Sequence, residues 1–255
     1  AYEAKYDKRV GNGSSIFHQA DRETSLVGLI RVGLLKRMES SVHAFALTTE
    51  KILNNIVRTI DLIDHRQLDY DASRSIEKID LDDDETEDLF GSSVKVLLQD
   101  MDLIKWRQDL DDDREKLSEI LTAAKQITPE RDAKLKTLCD IIHEKERSPI
   151  NPGNRKVLIF SAFADTARYL YDNLSPVLKK HGMYSALVTA GDNRSNIELD
   201  PVTKRAARLS DLSTVLTLFS PVSKECGKVF PQAKAQIDVL FATDCISEGQ
   251  NLQDC

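Results

Sequence analysis

Cysteine is scarce in this chain: Cys139, Cys226, Cys245 and Cys255 are the only four among 255 residues, they are far apart, and no Cys-x-x-Cys pair occurs. With no histidine at zinc-finger spacing either, a disulfide framework and a zinc ribbon are excluded, and reduced thiols in a cytoplasm fit best. No apolar run reaches membrane-spanning length and the first residues do not read as a secretory signal, so no membrane partner is expected. Aromatic residues make up only 6% of the chain, and the single tryptophan, Trp106, stands at a helical apolar position that marks it as core rather than as a platform for bases. Nowhere does Gly-x-x-x-x-Gly-Lys-Ser/Thr occur, so the loop and lysine that grip a nucleoside triphosphate are missing.

What the chain does have is enough apolar material, 41% of its residues, for one large core or two modest ones. Its net charge of −7 is unevenly spread: residues 1–128 carry 18 Lys and Arg against 26 Asp and Glu, whereas residues 129–255 carry 17 against 16. The excess acid therefore belongs to the first half. A near-neutral second half is compatible with a local amide-lined track for a nucleic-acid strand, though not with tight binding by charge alone.

The two halves also differ in pattern. Residues 1–20 hold the loop signal Gly11-Asn12-Gly13-Ser14-Ser15 and read as a connector. From Asp21 to about Asp64 apolar residues recur at helical spacing without a proline, giving one long helix or two joined end to end, weakened by roughly 1 kcal/mol at each of Gly28 and Gly33. The run Asp80–Asp88 is too charged to bury and reads as a mobile loop, and a further helix is expected over about Val94–Lys125. Thr128-Pro129-Glu130 gives a helix start, with Thr128 as the cap. Arg31, Lys36 and Arg37 read as a solvated helix face, and His43, His65 and His143 lack partners at ligand spacing.

From Arg155 onward the pattern turns to α/β: strand Lys156–Ser161, helix Asp165–Lys180, strand Tyr184–Thr189, a turn at Ala190–Asn193, a helix near Thr203–Leu218, and a strand ending at Ala242. The last strand runs straight into Thr243-Asp244-Cys245-Ile246-Ser247-Glu248-Gly249-Gln250-Asn251-Leu252-Gln253. A buried run that delivers a polar, glycine-bearing loop at its carboxyl end has the form of a ligand crevice in a parallel sheet.

That loop, Ala-Thr-Asp, three residues, Glu-Gly, one residue, Asn-Leu-Gln, resembles motif V of the superfamily 2 helicases and translocases, in the Swi/Snf-like variant shared by bacterial RapA-type proteins. Upstream, Lys156–Phe163 followed by Thr166, Ala167 and Leu170 resembles motif IV of the same family. The resemblance implies a second RecA-like domain, a three-layer α/β fold with a parallel sheet over about 129–255, preceded by an α-helical insertion or linker over 1–128. It implies that Ser161, Thr189, Gly191, Thr243 and Ser247 lie against nucleic acid, duplex DNA in this family. It places Gly249 and Asn251 near the nucleotide ribose and Asp244 in contacts between two motor halves. Glu248 stands where some branches carry arginine or glycine, so its contact is left open.

The resemblance further implies ATP and Mg²⁺ in a longer parent protein, with a first RecA-like domain in cis. No Asp-Glu-x-His box is present to hold Mg²⁺, and Cys255 precedes the family's arginine finger, so the chain is expected to be inactive alone and to be an excised portion. Taken by residues only, the same loop is also an ordinary strand-to-helix turn capped by Asp244 and Ser247, Phe160 is core, and Gly191 is a plain turn glycine. A non-catalytic interaction module, docking a protein partner through its acidic helical half, is the rival reading.

Overall fold

The computed structural model describes residues 8–10, 15–17, 19–65, 102–199, 210–246 and 250–254, with side chains from Val27 onward. The acidic run 80–88, the expected helical residues 94–101, residues 203–209 and the loop residues Ser247, Glu248 and Gly249 lie outside the described residues. The chain divides into two compact units, 1–126 and 127–255.

In the first unit, an antiparallel ribbon of β1 (Lys8–Val10) and β2 (Ser15–Phe17) brackets the glycine-rich loop signal, where a connector was expected. The long helical stretch is two helices, α1 (Gln19–Ser40) and α2 (Val42–Asp64). Ser41 divides them: its extended backbone ends α1, and its side chain accepts from the His43 N–H to cap α2. Helix α3 (Leu103–Lys125) is capped by Asp102, whose carboxylate accepts from the Lys105 N–H.

Helices α2 and α3 run antiparallel, because Arg107 near the start of α3 grips Asp64 at the end of α2, while Lys125 at the end of α3 reaches Glu50 near the start of α2. These pairs are exposed and worth little; the small residues Ala46 and Ala124, with Leu121, let the helices approach and bury their shared face. Trp106 is half-buried in α3. Arg37 is 1% exposed, so it does not belong to the solvated face on which the charge pattern placed it.

The second unit begins with a 3₁₀ turn, Pro129–Arg131, and helix α4 (Ala133–Arg147). Asp132, not Thr128, is the cap of α4: its Oδ1 accepts from the N–H groups of Lys134 and Leu135 at 2.9 and 3.0 Å. Thr128 instead hydrogen-bonds Glu130, which holds that carboxyl below its usual range.

Then follow β3 (Val157–Phe160), α5 (Ala164–Lys180), β4 (Ser185–Val188), β5 (Asn193–Ser195), α6 (Leu212–Phe219), the short α7 (Cys226–Val229) and β6 (Val239–Ala242). The sheet order is β3-β6-β4-β5. Strands β3, β6 and β4 are parallel, and β5 folds back antiparallel on β4, so the sheet is mixed rather than wholly parallel.

Alternation along the strands builds the layers. Val157, Ile159, Leu187, Val239 and Phe241 pack with α4 and α5 residues such as Ile142, Leu174 and Leu178. The intervening Leu158, Ala186, Val188, Leu240 and Ala242 pack with α6 residues Val215, Leu216, Leu218 and Phe219. The unit is thus mixed α/β with helices on both faces of a mostly parallel sheet. Phe160, expected in the core, is 48% exposed, because β3 has a strand neighbour on one side only among the described residues.

Candidate functional site

The register of the parallel strands decides what lies at their carboxyl ends. Phe160 pairs with Ala242, and Ala242 with Val188, so the next residues, Ser161, Thr243 and Thr189, stand side by side across three strands. The ladder extends one step to hold them: the Ser161 N–H donates to Ala242 O at 2.9 Å and the Thr243 N–H to Val188 O at 3.2 Å. Neighbouring strands are about 4.8 Å apart, so three hydroxyl-bearing residues form one row. Continuing the alternation places the row on the α5 face, where that helix presents its amino terminus three residues after Ser161.

Each hydroxyl shapes the loop that follows its strand. Ser161 Oγ accepts from the Phe163 N–H and donates to Phe163 O, fixing the approach to α5. Thr189 holds the turn beyond β4 twice, its N–H and Oγ1 both donating to Asp192 O at 3.0 Å. Thr243 Oγ1 donates to Cys245 Sγ across the 3₁₀ turn Asp244–Ile246. Gly191 is exposed in the β4–β5 turn, and a Cβ added there would meet nothing within 4 Å. Its backbone has no need of glycine.

Carboxylates neutralise the basic groups here. Arg168 of α5 bonds Asp165 and reaches Asp192 at 3.4 Å, while Arg194 of β5 bonds Asp192 and Asp172 at 3.0 and 2.9 Å. Arg194 also lies over the Tyr171 ring, whose hydroxyl is pushed up mainly by burial. This network ties α5 to the β4–β5 turn and was not legible in sequence, since its members belong to elements brought together only by the sheet.

Of the residues singled out from sequence, Ser161, Thr189 and Thr243 are brought together, with Gly191 and the exposed Asp244 in the loops beside them. Asn251 belongs to a segment held elsewhere: Gln250 accepts from Lys224, and the Asp254 carboxylate accepts from Val222 and Ser223 past the end of α6. Ser247 and Gly249 lie outside the described residues.

The opposite, amino-terminal edge of the sheet carries an open cleft of about 800 Å³ lined by Lys156, Tyr184, Pro221, Lys234, Asp238 and Asp254 among others. Its polar groups do structural work. Asp238 accepts from Arg155 Nε and from the Tyr184 N–H, both at 2.9 Å, and Lys156 Nζ donates to Ile237 O at 2.9 Å while lying over the Phe219 ring. Burial works to raise the Asp254 pKa, but hydrogen bonds from Ser223 and Val222 and the charge of Lys156 outweigh it and hold the carboxyl below its usual range.

No protein-family model, curated protein or solved structure matches the chain. The distinction between the two edges therefore comes from the residues themselves. Both edges are laced by internal bonds; the carboxyl edge differs in carrying the Ser161–Thr243–Thr189 row and the amino terminus of α5.

Proposed function

We propose that residues 127–255 are the second RecA-like half of an ATP-dependent, Swi/Snf-like translocase, and that the Ser161–Thr243–Thr189 row is its track for a nucleic-acid backbone. The observation that carries this is the register. The two segments that resemble helicase motifs are about eighty residues apart in sequence, yet β3 and β6 are adjacent, parallel and level, so both loops open at one edge.

The chemistry of the edge suits phosphates read without regard to base. Helix α5 presents its amino terminus at this edge, and its dipole favours an anion. Because Arg168 and Arg194 are paired with carboxylates, little free positive charge is offered. This chain alone then binds duplex DNA weakly, and the strength comes from a first RecA-like domain in the same parent, which would also hold most of the ATP and its Mg²⁺. Gly249 would approach the ribose once the two halves close, Asp244 would meet the other half, and hydrolysis would shift one half against the other.

The test is ATP hydrolysis by a protein that joins a Walker-bearing half to this chain, with and without duplex DNA. DNA-stimulated turnover that is lost in Gly249→Val, with this chain silent by itself, supports the proposal. Turnover indifferent to DNA and to Gly249→Val overturns it in favour of an interaction module.

A further inference from the structure

Three side chains from two helices converge near the amino edge of the sheet, away from the row of hydroxyls. His143 and Glu146 stand one turn apart on one face of α4, and His181 caps the end of α5. One ligand atom from each lies within 4.8 Å of those of the other two. The imidazole rings are 4.5 Å apart and tilted by 42°, and His181 Nδ1 lies 4.0 Å from Glu146 Oε2. The sequence reading, that His143 lacks partners at ligand spacing, overlooks Glu146 one turn along α4, and the third member, His181, is supplied only by the packing of α4 on α5.

We propose that His143, Glu146 and His181 form a site for a divalent transition-metal ion, zinc fitting best, that ties the end of α4 to the corner between α5 and β4.

The donor set is two imidazoles and a carboxylate, which matches zinc with a water in the fourth position. Ligands each about 2.1 Å from one ion are at most about 4.2 Å apart, so small side-chain rotations close the cluster to bonding distance. His143 Nε2 is buried and has no hydrogen-bond partner among the described residues, a costly state that a metal bond relieves.

The surroundings support the same orientation. Cys139 Sγ lies 3.9 Å from His143 Nδ1, one turn back along α4. With the Nδ1 proton directed to that sulfur, Nε2 presents its lone pair to the cluster, the usual division of labour in a ligating histidine. Cys139 meets the ring at Nδ1 and not at Nε2, so it serves to orient the histidine rather than to ligate the ion. On the other side His181 is 45% and Glu146 22% exposed, leaving an open approach for the ion and for its water. Gly182, with a left-handed φ of 71°, turns the chain immediately after His181, and its carbonyl accepts from Arg155, so the ligand sits on a fixed corner.

The experiment is titration of Zn²⁺ into the chelator-stripped chain by calorimetry, with thermal melting and Co²⁺ absorption alongside. About one equivalent of Zn²⁺ binds and raises the melting temperature, and Co²⁺ gives visible d–d bands without thiolate charge transfer. His181→Ala, at an exposed position whose loss leaves the fold intact by circular dichroism, weakens binding about ten-fold or more, as does Glu146→Gln. Binding undiminished in both variants, no binding at all, or a thiolate band that disappears with Cys245→Ser overturns the proposal, the last by assigning the metal to an exposed thiol.

Discussion

Arg168 Nε lies 3.4 Å from Asp192 Oδ2, and this ion pair joins the first turns of α5 to the turn beyond β4, so two of the loops at the carboxyl edge move together. Both side chains are partly exposed, and such pairs contribute less than about 1 kcal/mol to stability. Arg168→Ala therefore lowers the urea midpoint only slightly. It speeds hydrogen exchange at the Thr189 amide, which donates to Asp192 O, as mass spectrometry of the turn peptide will register; unchanged exchange would show that the bonds from Thr189 hold the turn alone.

The strand β6 is central and β3 has one flank open, so equal truncations on them have unequal costs. Leu240→Ala removes a fully buried side chain and costs about 2–5 kcal/mol, whereas Phe160→Ala, already half in solvent, costs less than about 1 kcal/mol. Paired urea denaturation curves measure the difference. Similar losses for the two would contradict the strand order.

Asp132 caps α4 and also accepts from the Tyr169 hydroxyl at 3.0 Å, a phenol pushed well up first by burial and then by that bond. Asp132→Ala removes three hydrogen bonds and costs about 1–2 kcal/mol, while Thr128→Ala costs less than about 0.5 kcal/mol. Equal effects in thermal melts would return the cap to Thr128.

The lowered pKa of Asp254 gives a pH dependence of definite sign. A carboxyl held below its unfolded value of about 3.9 stabilises the fold above that pH, and the contribution is lost as pH falls through the folded value. Asp254→Asn is consequently less stable than wild type at neutral pH, and the gap narrows below about pH 3.9. A gap that is constant from neutral to acid pH would mean that the carboxylate charge at Asp254 contributes nothing.

Much of the second unit is legible in the sequence because its strands are short apolar runs that end in polar loops, and its helix α5 keeps a strong apolar stripe. Strand β5 was not, since Asn193-Arg194-Ser195 carries no strand signal and is held by pairing with β4 and by the ion pairs of Arg194. The burial of Arg37, the exposure of Phe160 and the meeting of His143 with His181 escaped for a related reason: each depends on what packs against the residue, which helical or strand periodicity does not contain. The candidate row was half legible. Ser161, Thr189 and Thr243 could each be chosen from a motif, but that they stand level is a consequence of strand register.

We propose that the carboxyl edge, and not the amino edge, carries the motor function. The most direct measurement is DNA-stimulated ATP hydrolysis by the joined motor, comparing Thr243→Val at the row with Lys234→Ala in the opposite cleft. Thr243→Val is expected to lower the DNA-stimulated rate about ten-fold or more with an unchanged melting temperature, and Lys234→Ala to leave it intact. Equal rates for wild type and Thr243→Val, or a loss confined to Lys234→Ala, would contradict the account.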